Sequence, residues 1–204
     1  EADVRGAIST YYAMTRFVDD GVGQILDALD QLDLTDNTIV VFTADHGDFM
    51  GEHGMQNKGG LFYDCLTRVP LVVSWPGQVA GGVREDSPVN LIDIVPTVLD
   101  VFGIAVPEAV SGFTVGSAPA DRVRITTTTQ RLAVPIHSVE RYHHLMLYGW
   151  DGATSYYHTD EDPEETNNLY DTDNENIGCL WDFLKPAIDM VDAERAGMEP
   201  AGVP

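Results

Sequence analysis

Apolar side chains at Val4, Ala7, Ile8, Tyr11, Met14, Val18, Val22, Ile25, Leu29 and Leu32 recur at steps of three and four. One face of an α-helix repeats at that interval, so the spacing predicts a long amphipathic helix over residues 2–32, weakened locally by Gly21 and Gly23. A polar turn at 34–37 leads into Thr38-Ile39-Val40-Val41-Phe42-Thr43, and a second run of the same kind, Pro70 to Trp75, ends at Pro76-Gly77. Continuous β-branched and aromatic runs of this kind fit strands covered on both faces, as in a parallel sheet flanked by helices. Between them the residues predict a glycine-rich loop and a short helix near 60–66. From Asn90 to Gly103 the helical spacing returns (Leu91, Val95, Val98, Leu99, Phe102), with Asp93 near the N-cap and Pro96 in the first turn. Helix, strand, loop, strand, helix is the order of an α/β domain.

The pattern changes near 105–120, where Gly, Pro and Ala accumulate. Short runs at Val123–Thr129, His144–Tyr148 and Ser155–His158, with a turn at Asp151-Gly152, predict a small antiparallel sheet. Residues 160–168 read as a polar loop, and Ile177 to Val191 as a helix with Leu180, Phe183, Leu184 and Ile188 facing inward. The tail from Gly197 is expected to be disordered. The expected organisation is therefore an α/β part over 1–115, an antiparallel-sheet subdomain with a terminal helix over 116–196, and a flexible tail over 197–204.

Charge narrows the partners. The 204 residues hold 33 acidic against 11 basic side chains, a net −22, and Lys58 and Lys185 are the two lysines. Such a surface repels nucleic acid and anionic lipid, and no apolar stretch reaches the roughly 18 residues of a membrane span. Adaptation to high salt, where screening relieves repulsion among carboxylates, is the sharper reading of the acidity. The thermal midpoint is then expected to rise along a potassium chloride series, and a flat or falling midpoint would refute that adaptation. The opening Glu-Ala-Asp shows no targeting segment and suggests a piece of something longer, which leaves the compartment open. Cys65 and Cys179 read as partly buried thiols, since two cysteines make neither a disulfide framework nor a metal cluster.

The candidate chemistry lies in Thr43-Ala44-Asp45-His46-Gly47-Asp48-Phe49-Met50-Gly51-Glu52-His53-Gly54-Met55-Gln56-Asn57-Lys58-Gly59. In open α/β sheets ligands bind beyond the carboxyl ends of strands, which is where Asp45 and His46 fall. A carboxylate oxygen beside an imidazole nitrogen is a common divalent-metal pairing, provided the chain turns so that both reach one ion, and Gly47 permits the turn. Taken alone, an acidic, glycine-rich loop is more often solvated than functional. Asp48 and His53 read as groups supporting the loop, and His137, His143, His144 and His158 as structural or exposed.

In register, however, the stretch from Thr38 to Val73 resembles the second signature region of the sulfatase family, within the alkaline-phosphatase superfamily. The likeness continues through Ser87–Gly103 and resumes at Asp-Pro-Glu-Glu-Thr-Asn-Asn-Leu, 162–169. It implies the C-terminal part of an alkaline-phosphatase-like doubly wound sheet, plus the small antiparallel sheet and its helix. It implies that Asp45 and His46 are metal ligands and Lys58 a catalytic contact to the oxyanion. It implies a divalent metal, calcium first, with manganese, magnesium or zinc as alternatives, and an anionic sulfate or phosphonate ester as substrate. His after the metal-binding Asp is similar to iduronate sulfatases, choline sulfatases and phosphonate monoester hydrolases. Arg68 and Pro70 also match, but structural support before the second strand explains them as well.

The family's nucleophile, a Cys or Ser in C/S-x-P-x-R converted to formylglycine, has no counterpart here: Cys65-Leu66-Thr67-Arg68 lacks the proline and has the wrong spacing. An upstream Asp-Asp metal pair is likewise absent, so formylglycine and the remaining ligands are expected in a missing N-terminal half. The expected function is sulfuric ester hydrolysis by the intact protein, with no turnover by this chain alone; the alternatives are a phosphonate or phosphate monoester hydrolase and a non-catalytic module.

Overall fold

The computed structural model describes residues 2–59, 61–128, 136–141, 144–149, 152–170 and 175–197. In order these form helix α1 (Ala2–Gln31), strand β1 (Val40–Thr43), a short helix α2 (Asp64–Thr67), β2 (Leu71–Ser74), α3 (Ile94–Val101), strands β3 (Val123–Thr128), β4 (Ile136–Arg141), β5 (His144–Tyr148) and β6 (Thr154–His158), and α4 (Glu175–Gly197). Helical turns of the 3-10 type at Thr35–Asn37, Glu52–Gly54 and Leu91–Asp93 punctuate the connections. Contacts divide the chain into two compact units, Glu1–Lys58 with Cys65–Glu85, and Gly59–Asp64 with Asp86–Pro204.

In the first unit the long helix forms as the periodicity predicts, and Gly21 and Gly23 sit inside it. Part of its apolar face is nevertheless open: Met14, Val18 and Ile25 are all more than half exposed, while Val4, Ile8, Val22 and Leu29 are half-buried. Periodicity reports the demand for a covering surface, not its delivery within this chain. The two strands differ from expectation in direction. β1 and β2 pair antiparallel, Val40 opposite Ser74 and Thr43 opposite Leu71, and Phe42, Val72 and Val73 remain partly exposed. An uninterrupted apolar run encodes burial on two faces but not strand polarity, and mostly parallel sheets commonly carry an antiparallel strand.

The second unit holds the better-packed core. Its sheet is an antiparallel meander, β3-β4-β5-β6. Alternation along β5 sends Met146 to one face and Leu145 and Leu147 to the other. On the first face Val139, Met146 and Tyr156 pack against Ile177, Leu180 and Leu184 of α4. Each of these side chains is at most 3 % exposed, so each contributes about 1.5–3 kcal/mol of burial. On the second face Leu145, Leu147 and Tyr157 receive Phe62 and Tyr63. The sequence reading missed β4, whose Ile-His-Ser-Val-Glu-Arg alternates too weakly to stand out from its polar neighbours. The tail beyond Gly197, Asp151 of the expected Asp151-Gly152 turn, and His143 lie outside the described residues.

Asp93 departs from its expected capping role. It stands at the N-cap of α3 with no side-chain cap bond to that helix. Instead its carboxylate, 1 % exposed, accepts from the N–H of Asn90 (2.8 Å) and of Phe113 (2.9 Å) and is paired with the Arg122 guanidinium. Asn90 caps the preceding 3-10 turn in a reciprocal capping box. Burial pushes the Asp93 carboxyl up, but Arg122 and the two backbone N–H groups outweigh it and hold the group below its ordinary value.

The 162–169 segment is folded onto β6 by its own side chains. Asp162 accepts from the N–H groups of Thr166 (3.2 Å) and Asn167 (2.8 Å). Asn168 Oδ1 accepts from the N–H of Tyr156 and of Tyr170, both at 3.0 Å. Glu165, in a left-handed conformation at φ 51°, is 2 % exposed. Its Oε2 accepts the N–H of Asp64 at 2.9 Å, while Oε1 is buried with no hydrogen-bond partner among the described residues.

Burial pushes the Glu165 carboxyl up to about 7; the Asp64 N–H opposes the rise, and the carboxylates of Asp64, Glu140 and Asp162 add to it. Glu140 is itself paired with Arg124. A carboxyl whose folded value lies above its ordinary 4.5 favours folding most below that pH. That contribution, at most about 3 kcal/mol, is lost as pH rises through about 7. Glu165→Gln cannot ionise. The unfolding free energy of the wild type, relative to that variant, should therefore fall between pH 4.5 and 7 and level off above. A difference that stays constant across this window in urea titrations would refute the assignment.

Candidate active site

The end of β1 delivers Asp45 and His46 into a bend, and α2 braces that bend from behind. The Gly47 N–H donates to the Leu66 carbonyl at 2.9 Å. A Cβ at Gly47 would stand 1.9 Å from the Cys65 carbonyl oxygen, so only glycine allows this approach. Beyond it the chain is pinned to itself: Asp48 Oδ1 accepts the Met50 N–H (3.0 Å), Phe49 N–H donates to Asn57 O (3.0 Å), and Gly51 N–H donates to Met55 O (2.8 Å). Phe49, 1 % exposed, plugs the loop and meets the His53 ring edge-on at 6.4 Å. Met50, His53 and Asn57 all have positive φ, at 46°, 52° and 62°. Backbone held in this sparsely populated region concentrates at functional loops. Val4, Ile8, Tyr11 and Tyr12 of α1 face Met50–Glu52 across a shallow groove.

This framework brings three predicted residues together. Lys58 Nζ lies 3.0 Å from His46 Nε2, and Asp45 Oδ2 lies 3.5 Å from the same nitrogen. Asp45 Oδ1 accepts the His46 N–H at 3.0 Å, which keeps the carboxylate beside the imidazole. His46 Nδ1 lies 2.7 Å from the Gly47 carbonyl oxygen, an acceptor only, so Nδ1 carries the proton and Nε2 the lone pair. Lys58 donates to that lone pair. A bend after β1, rather than a continuing strand, puts the adjacent side chains of Asp45 and His46 on one side.

The two remaining expected groups hold the loop's shape: Asp48 caps its own turn, and His53 sits in the Glu52–Gly54 turn against Phe49. His144 and His158 belong to the second unit, where their two imidazole rings meet edge-on at 4.8 Å and His144 Nδ1 lies 2.6 Å from Tyr156 Oη. Cys65 and Cys179 are partly buried thiols, and Cys179 Sγ receives Arg141 at 3.4 Å.

A divalent cation fits this donor set in part. Asp45 offers an 87 % exposed carboxylate, and His46 an Nε2 lone pair that an ion bridging the two would have to take over from the Lys58 ammonium. No group of three or more His, Cys, Asp or Glu ligands occurs among the described residues, so these two supply part of a shell. Burial of Glu165 against Asp64 was not readable, because 101 residues separate the partners; the acidic motif around Glu165 was the available signal.

An N-acetylglucosamine-6-O-sulfatase of Bacteroides thetaiotaomicron is 30 % identical over 175 residues, covering 78 % of this chain and 31 % of its own length. A solved structure of the putative sulfatase yidJ from Bacteroides fragilis superposes with a TM-score of 0.75 at 30 % identity, over 88 % of this chain and 41 % of that one. A second solved protein, in complex with its substrate D-glucosamine-2-N,6-O-disulfate, gives a TM-score of 0.72 at 26 % identity, over 83 % and 38 %. The chain thus spans between about a third and two fifths of the length of these relatives. The family model for Sulfatase matches residues 2–104, and the chain belongs to the sulfatase family, with its alkaline-phosphatase-like fold.

Proposed function

We propose that the intact protein hydrolyses sulfate esters, with Asp45 and His46 as two ligands of a divalent cation and Lys58 as the contact to the ester's oxyanion. The observation that supports this most is the meeting of Lys58 Nζ, the His46 lone pair and the Asp45 carboxylate just beyond β1. A bound cation supplies Lewis-acid stabilisation of charge on the ester oxygens. The chain's own residues prepare for it: the Gly47 carbonyl fixes the His46 tautomer, and the Asp45 carboxylate stays exposed beside it. The Lys58 ammonium presents three donors on a flexible stem to an anionic group. Calcium is the proposed cation, following the family resemblance. The attacking group comes from outside this set. Sulfated amino sugars are the first substrates to try, since relatives act on or bind such compounds.

The intact protein should be assayed on p-nitrophenyl sulfate, glucosamine 6-sulfate and a phenylphosphonate ester, each with calcium, magnesium, manganese or zinc after chelation. Metal-dependent turnover highest on a sulfate ester supports the reading. A preference for the phosphonate would reassign the protein to phosphonate monoester hydrolysis, and no turnover with any metal would make it a non-catalytic module.

A further inference from the structure

His46 Nε2 has one lone pair and two claimants. Lys58 Nζ lies 3.0 Å away and donates to it, while the proposed function asks the same lone pair to ligate a divalent cation. An imidazole nitrogen holds such an ion at about 2.0–2.1 Å, through that lone pair alone. Both claims cannot be met together: an ammonium hydrogen on the nitrogen occupies the electrons a cation needs, and a cation there repels the ammonium.

The surrounding backbone decides which partner gives way. The imidazole is held. Its Nδ1 lies 2.7 Å from the Gly47 carbonyl oxygen, the Gly47 N–H is bonded to the Leu66 carbonyl, and Asp45 Oδ1 accepts the His46 N–H. Gly47 packs so closely on α2 that a Cβ would stand 1.9 Å from the Cys65 carbonyl oxygen. The lysine is held only at its base, where the Asn57 carbonyl accepts the Phe49 N–H. Beyond that base its exposed four-carbon stem can rotate.

We propose that Lys58 is a cation-operated contact: it caps His46 Nε2 until a divalent cation takes that lone pair, and only then is its ammonium released to the ester's oxyanion. This rests on the roles given above to Asp45, His46 and Lys58, and adds an order to them. An anionic ester meets the lysine once the cation that shares its charge is in place; without the cation the lysine stays on His46.

The intact protein, its lysines dimethylated with ¹³C-formaldehyde, carries a reporter on Lys58 that Lys58→Arg identifies by its loss. Dimethylation keeps the charge, and one N–H remains to donate. After chelation, nuclear Overhauser contacts should join the Lys58 methyl groups to the His46 ring protons. Calcium, magnesium and zinc are then titrated separately. The one that binds most tightly should abolish these contacts at saturation, and a chelator should restore them.

Calorimetry reads the same competition from the other side. Lys58→Ala should raise the affinity for that cation about two- to fourfold, the lower end of what one hydrogen bond contributes, and Lys185→Ala should leave it unchanged. Contacts that persist at saturation, contacts absent after chelation, or an affinity that falls in Lys58→Ala each overturn the proposal. If none of the three cations binds, the metal reading falls and this proposal with it. If one binds while the lysine stays on His46, the metal reading stands and the proposal alone falls.

Discussion

Asp93→Ala is expected to destabilise the second unit by about 3–5 kcal/mol, because it strands a buried cation. The Arg122 side chain is 7 % exposed and stacks over the Phe113 ring at 5.0 Å, so it cannot swing into water without dismantling its own packing. Removing the carboxylate also strips the Asn90 and Phe113 N–H groups of their acceptor. Calorimetry should show a midpoint lower by on the order of 10 °C. Replacing both partners with apolar residues of similar volume should recover much of the loss, since a pair removed together leaves no lone charge. Because the folded Asp93 carboxyl is held below its ordinary 3.8, its contribution is present above that pH and is lost as pH falls through the folded value. The gap between wild type and Asp93→Asn should accordingly close at strongly acid pH. A loss under 1 kcal/mol at neutral pH would mean that Arg122 finds another partner.

What the residues disclosed, and what they withheld, divides along sequence distance. Asp45, His46 and Lys58 lie within one loop after a recognisable strand; residue type pointed to Asp45 and His46 as a candidate pair, and the family resemblance supplied their expected roles and that of Lys58. Met146 and its neighbours, and Leu180, Leu184 and Ile188 of α4, were legible because each element's periodicity is local, whereas Phe183, expected inward, is 38 % exposed. Asp93 was not: its position suggested a helix cap, while its actual partners, Phe113 and Arg122, lie 20 and 29 residues away. The polarity of β2 against β1 was hidden for the same reason, since two apolar runs look alike in either direction. β4 escaped because Ser138 and Val139 are buried on opposite sides of a strand that otherwise reads as polar. The positive φ at Met50 has no signature in residue type, and at His53 only the weak one that histidine visits this region more often than most residues. They follow from the closure of the loop around Phe49.

Lys58→Ala is expected to lower kcat/KM of the intact protein roughly 10²–10³-fold, about 2.7–4 kcal/mol, the usual cost of one oxyanion-stabilising donor. The argument begins with charge. Hydrolysis of a sulfate ester builds negative charge on the leaving oxygen, and only interactions stronger there than in the bound substrate accelerate the step. In a chain of net −22 the surrounding field opposes both the anionic substrate and the developing charge. One ammonium at the site thus has an effect that the rest of the surface works against. The structure places that ammonium 3.0 Å from His46 Nε2, beside the proposed metal ligands. Lys58→Arg keeps the charge but replaces a compact, rotatable donor with a rigid fork, and should recover only part of the rate. The control is Lys185→Ala, which removes the other lysine from an exposed i,i+4 pair with Asp189 and should leave turnover unchanged. Asp45→Ala should act differently, abolishing metal binding measured by calorimetry, whereas Lys58→Ala should leave it within a few-fold. Turnover in Lys58→Ala within threefold of the wild type would remove Lys58 from the mechanism, and metal binding unchanged by Asp45→Ala would remove Asp45.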